Sequence, residues 1–184
     1  MLKKILSVFI GIMLAASIAS AAQLKQGDSF PDVELKGKLS AKQSTYLGIH
    51  GDGPWKLSAV DADYVLIEIY SMYCPHCQKE APEANELYEK MLESGKFGKV
   101  KMIGIAAGNS EFETDFFRDK YSVEFPLFID PELEIHAATG STGTPHFYLV
   151  KLGSSNPVTV FSNEGRMKDL PAFLEKLKSA AGLN

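Results

Sequence analysis

A run of apolar, β-branched and aromatic residues, Tyr64-Val-Leu-Ile-Glu-Ile-Tyr70, leads through Ser-Met-Tyr into Cys74-Pro-His-Cys77, where a helical pattern begins. Nothing else in the chain limits the fold as much. An apolar run of this length reads as a strand buried on both faces, and such a strand belongs at the centre of a sheet that helices cover from both sides. Glu68 is the one charged residue in the run. The pattern from Cys77 onward reads as a helix with Gly95 as its stop.

The remaining segments fit the same plan. Residues 99–107 read as a second buried strand, and residues 110–122 as a helix that Ser110 caps and Glu113 completes as a capping box. Residues 125–130 form a short extended piece, and Pro131 opens a short helix. Residues 144–151 and 157–162 pair as strands, and residues 166–182 form a closing helix with Leu170, Phe173, Leu174 and Leu177 on one face. Residues 22–61 carry scattered Gly and Pro with short extended runs at 32–37 and 44–50, which predicts an N-terminal β extension of two or three strands. The expected architecture is one α/β domain over residues 22–184, with a mixed central sheet flanked by helices.

The 184 residues are 45% apolar and 23% charged, an ordinary globular balance. The first 21 differ: Lys3 and Lys4, an apolar run over 5–18, then small residues with Ala19 and Ala21 spaced as A-x-A. This is the layout of a secretory signal peptide cut after Ala21, with Ala22 as the rival position and an uncleaved anchor as the competing reading. Loss of the two lysines would take the formal net charge from −4 to −6. A mildly acidic chain without a basic cluster is a poor fit to nucleic acid. The expected location is the periplasm.

Both cysteines of the chain sit in the Cys74–Cys77 pair. A disulfide closing so short a loop adds little stability by chain entropy, so the pair points to chemistry rather than stapling. At a helix N-terminus the unpaired N–H groups and the dipole favour a thiolate at Cys74. Pro75 sits where a missing N–H costs nothing, and His76, when protonated, adds positive charge. Cys77 lies one turn on, placed to attack a mixed disulfide formed at Cys74. Glu68, buried in its strand, would have a raised pKa and could exchange a proton with Cys77. Such exchange runs on the thiols themselves and calls for no cofactor or metal.

Residues 64–82 resemble the active-site strand and helix of the thioredoxin superfamily. Glu68, six residues before Cys74, matches the buried acid of that family, and Pro82, five after Cys77, matches its helix proline. Residues 143–150 resemble its cis-proline loop, so Pro145 is the expected cis-proline, with the Thr144 backbone beside the disulfide as a place for a substrate strand. Between Cys77 and Pro145 lie enough residues for a central α-β insertion. Together with the N-terminal extension, this layout is similar to the TlpA/ResA-like group of periplasmic thiol–disulfide oxidoreductases. That resemblance implies a reductase of disulfides in exported proteins, with apocytochrome c as a possible substrate and a membrane electron donor of the DsbD/CcdA type. It also implies a site role for Glu80. The Pro75-His76 dipeptide departs from it and resembles the disulfide-forming DsbA proteins, which leaves the direction of electron flow open between reductase and oxidase.

Two other chemistries compete. A Sco-like copper site would need His136 or His146 beside the cysteines, but Sco proteins space their cysteines one residue wider. Ser71-Met-Tyr-Cys74 faintly resembles the peroxiredoxin T-x-x-C without its preceding proline. His50 and His136 read as surface or turn residues, His146 as a strand residue, and Trp55 as packing of the extension. Tyr73, with Tyr70 and Met72, is a candidate apolar rim for substrate next to Cys74.

Overall fold

The strand Tyr64–Tyr70 takes the place its sequence predicts. The computed structural model describes residues 22–140, 142–153 and 156–183; the expected signal segment lies outside them. Along the chain come β1 (Glu34–Leu35), α1 (Ala41–Leu47), β2 (Trp55–Lys56), β3 (Tyr64–Tyr70), α2 (Pro75–Glu93) and β4 (Val100–Ala107). Then follow α3 (Glu111–Tyr121), β5 (Leu127–Asp130), α4 (Glu134–Ala138), β6 (His146–Lys151), β7 (Val158–Glu164) and α5 (Leu170–Ala181). Five strands form one sheet in the order β5-β4-β3-β6-β7, with β3 at its centre. β3, β4 and β5 run parallel, whereas β6 and β7 run antiparallel to their neighbours.

Side chains alternate across β3, and each face has its own core. Leu66 and Tyr70 pack with Cys77, Ala81, Leu87 and Met91 of α2 and with Phe173 and Leu177 of α5. Val65, Ile67 and Ile69 point the other way, toward Phe30, Leu35, Leu47 and Trp55 of the extension. The alternation therefore puts Glu68 on the face that α2 covers. Trp55 packs edge-to-face on Phe128 and donates its indole N–H to the His50 carbonyl at 2.8 Å.

Three local expectations need correction. The extension is not all β, because residues 41–47 form α1 rather than a strand. Ser40 caps this helix, Gln43 returns the bond to the Ser40 N–H, and Gly48 closes it in the left-handed conformation at φ 66°. A complete pair of caps outweighed a weak extended pattern. Helix α4 begins at Glu134, not Pro131, since the Asp130 carboxylate accepts from the N–H groups of Ile135 and His136. Helix α5 begins at Leu170 with Asp169 as its cap, which leaves Arg166 and Met167 in the preceding loop. The insertion the sequence calls for is β5 and α4.

Gly48 needs its positive φ, and a Cβ there would stand 2.6 Å from the Asp61 Cβ. Gly48→Ala is expected to lower stability by about 1–3 kcal/mol, measured as a fall in the denaturant midpoint at unchanged slope.

Candidate active site

Helix α2 starts where β3 ends, with Cys74 as its N-cap and Pro75 in its first turn. Pro82 lies within α2 without ending it. The other half of the site comes from β6. Because β6 runs antiparallel to β3 with His146 opposite Ile69, the residues just before His146 lie beyond the end of β3, beside Cys74. The Thr144–Pro145 bond there is cis, as expected. The Cys74 thiol donates to the Thr144 carbonyl at 3.1 Å. The approach to Cys74 is held rigid by Asn109, fully buried, whose side-chain oxygen accepts from the Met72 N–H at 2.8 Å, while the Gln78 amide donates to the Met72 carbonyl at 2.8 Å.

The two sulfurs have opposite environments. Cys74 is partly exposed and Cys77 is 0% exposed. Burial works against a Cys74 thiolate, but hydrogen bonds with the Thr144 side chain, the Cys77 N–H and thiol and the His76 N–H outweigh it, so its pKa is lowered. His76 thus acts on Cys74 through its backbone, and its side chain is exposed. Burial drives the Cys77 thiol well above the usual thiol range, and the nearby Glu68 charge adds to this. Glu68 itself, 4% exposed, is pushed up to about 8 by burial and by the charge of Glu80. One thiol is therefore ready to attack, while a second thiol and a carboxyl beneath it hold their protons.

Glu80 is buried, not a solvated helix charge. Burial raises its pKa, while the Met167 N–H and Arg166 pull it back down. Tyr73, next to Cys74 in the chain, is 64% exposed and its hydroxyl bonds to Glu113 of α3. Met72 is half-buried, whereas Tyr70 is a core residue stacked near Phe117, with ring centroids 4.6 Å apart. His146 is buried as a strand residue, bonded through Nε2 to the Ser162 hydroxyl at 2.8 Å, and burial takes its pKa down to about 4. His136 is more than a surface residue: its Nε2 meets the Thr142 carbonyl at 2.7 Å and so ties α4 to the loop before Pro145. Among the described residues no three His, Cys, Asp or Glu side chains converge to hold a metal. Sequence reasoning missed Asn109 and Arg166. Asn109 had no local signal, and Arg166 was hidden by its apparent membership of the last helix.

A strand that ends in a C-x-x-C helix, faced by a cis-proline loop, within a five-stranded mixed sheet, defines a thioredoxin-like fold. The chain belongs to the AhpC/TSA family, whose model matches residues 26–168. Among curated proteins it is similar to the thiol-disulfide oxidoreductase ResA of Halalkalibacterium halodurans, with 30% identity over 95 residues, 52% of this chain and 52% of that protein. The chain thus spans about half the length of that relative. Among solved structures it is similar to a candidate thiol:disulfide interchange protein DsbE from Chlorobium tepidum, with TM-score 0.65 and 19% identity, covering 86% of this chain and 99% of that one. It is also similar to the peroxidoxin BcpB from Mycobacterium tuberculosis, with TM-score 0.61 and 18% identity, covering 88% and 99%. These two likenesses speak for the fold alone.

Two outcomes follow from the electrostatics. In the reduced protein at mildly acidic pH, iodoacetamide should label Cys74 and leave Cys77 unmodified, read by peptide mass mapping; preferential labelling of Cys77 would reverse the assignment. Glu68 holds its proton in the folded chain up to about pH 8, against an ordinary value of 4.5. The unfolded chain binds fewer protons between those values, so stability falls as pH rises through that window. Glu68→Gln should remove this fall, on the order of a few kcal/mol, in denaturant melts compared at pH 5 and pH 8.

Proposed function

We propose that this protein is a thiol–disulfide oxidoreductase of the periplasm, exported on its N-terminal segment, that reduces disulfides in exported proteins. The observation that carries this is the asymmetry of the pair: a partly exposed Cys74 with a lowered pKa above a fully buried Cys77 that keeps its proton. The Cys74 thiolate attacks one sulfur of a substrate disulfide, that S–S bond breaks, and one substrate thiolate leaves and takes a proton. Cys77 passes its proton to Glu68 in those molecules where that carboxyl is ionised, a fraction that grows as pH rises toward about 8, and attacks the Cys74 sulfur. The second substrate thiol is released, and the protein is left with a Cys74–Cys77 disulfide. Two electrons have moved to the substrate. The open edge of the Thr144–Pro145 loop supplies backbone groups for an extended substrate segment, with Pro75, His76 and Tyr73 around it.

The reductase direction is supported by two features. The extension and the β5–α4 insertion follow the ResA-like layout. Cys77 remains a thiol when reduced, so only one sulfur gains from thiolate stabilisation, and the pair is less oxidising than one in which both do. The Pro75-His76 dipeptide is the argument for an oxidase, but the His76 contribution on Cys74 comes from a backbone N–H that any residue there would supply. Apocytochrome c is the candidate substrate and a DsbD/CcdA-type membrane protein the candidate donor, both on the strength of the resemblance. A peroxidase reading has only the AhpC/TSA family model in its favour. Its test is peroxide turnover, expected to be no faster in the native protein than in Cys74→Ser.

Cys77→Ser should accumulate a mixed disulfide between Cys74 and a substrate thiol, visible as a thiol-sensitive band on non-reducing gels. Redox titration of the native pair should give a potential near about −270 mV, the thioredoxin range; a value near about −120 mV, the DsbA range, would make it an oxidase.

A further inference from the structure

Arg166, in the loop between β7 and α5, is bound to the first half of α2. Its Nε donates to Glu80 Oε2 at 2.8 Å, and its Nη2 donates to Glu83 Oε1 at 2.6 Å and to the Lys79 carbonyl at 3.3 Å. The neighbouring Met167 N–H donates to the other Glu80 oxygen at 2.8 Å. The Glu80 side chain is 0% exposed, so these two donors replace the water it has lost. A carboxylate enclosed in this way stays ionised only while its cation remains beside it. Glu80 is one turn beyond Cys77 on the same side of α2, and its charge reaches Glu68 on the covered face of β3. A guanidinium at the surface is thus coupled to the proton acceptor of the buried thiol.

We propose that Arg166 is a positioning residue of the active site: it keeps the Glu80 carboxylate charged and fixed on α2, and through Glu80 it sets how strongly Glu68 draws the Cys77 proton. The proposal rests on the exchange chemistry described above. The charged and titratable groups in this field are Glu80 and Cys77 on α2, Tyr70 on β3, Arg118 of α3 acting by way of Tyr70, and the Arg166–Glu83 pair at the outer end. With Arg166 gone, burial neutralises Glu80. Glu68 then loses a negative neighbour and becomes a weaker base.

Arg166→Gln and the conservative Arg166→Lys, made in the full chain, test this with two readouts. The first is carboxyl carbon NMR of Glu80 and Glu68. In Arg166→Gln the Glu80 midpoint should rise by about one unit or more and the Glu68 midpoint should fall, while Arg166→Lys lies between that variant and the native protein. The second is closure of a Cys74 mixed disulfide, formed with a small aromatic disulfide and followed by release of the aromatic thiol. In Arg166→Gln the pH midpoint of closure should move down and the rate reached above it should fall roughly threefold or more, as a weaker base gives, and Arg166→Lys should recover most of both. A lower melting temperature with unmoved midpoints and an unmoved closure profile would make Arg166 a structural clip and overturn the proposal. If the native protein forms no mixed disulfide, the exchange reading fails. The NMR midpoints then decide the Arg166–Glu80–Glu68 coupling by themselves, and unmoved values overturn it.

Discussion

The antiparallel pairing of β6 with β3 is the contact on which the site depends. Helix α2 follows β3 directly, so chain connectivity alone carries Cys74 to the end of the central strand. Thr144 is seventy residues away along the chain and has no such link. It reaches Cys74 only because His146 is opposite Ile69, and a register shift of one residue would turn every β6 side chain to the other face. The buried faces prevent such a shift: Phe147 and Leu149 belong to the α2 side, and Tyr148 and Val150 to the extension side. Packing of both cores thus sets the position of a backbone carbonyl at 3.1 Å from a sulfur.

The same two-sided burial sets the electrostatics. Desolvation is the largest influence on Cys74, Cys77, Glu68 and Glu80 alike, and it opposes the charged form of each. What separates them is the supply of hydrogen bonds. Cys74, at the open end of α2, has enough donors around it to overcome burial; Cys77, three residues deeper, does not. Glu80 shows the intermediate case, a buried carboxylate with a guanidinium and an N–H brought to it from a distant loop. A helix start at the surface with its second turn inside the core produces this graded series along a single element.

Much of this was legible in the residues, and the exceptions have physical causes. The strand at 64–70, the helix start at Cys74, the capping box of Ser110 and Glu113 and the paired final strands all depend on near neighbours in sequence. Helix α1 was legible too, in Ser40, Gln43 and Gly48, but a short β-like pattern obscured it. Arg166 was not legible. Residues 166–169 were read as part of the last helix, but the Asp169 cap and Pro171 start α5 later, and the bonds that Arg166 and Met167 donate to Glu80 come from a segment far away in sequence. Asn109 likewise gains its role from a Met72 N–H that is 37 residues away.

By itself the sequence determined the order of elements, the central strand, and the spacing of the two cysteines at a helix start, because spacing and capping act within a few residues. The tertiary structure decided everything that needs two distant segments to meet. It brought the Thr144 carbonyl to Cys74, turned Glu68 inward under α2 and gave Glu80 its partners at Arg166 and Met167. The reason is that burial and long-range hydrogen bonding, which set the acidity of each group here, are properties of the packed molecule and not of any stretch of chain.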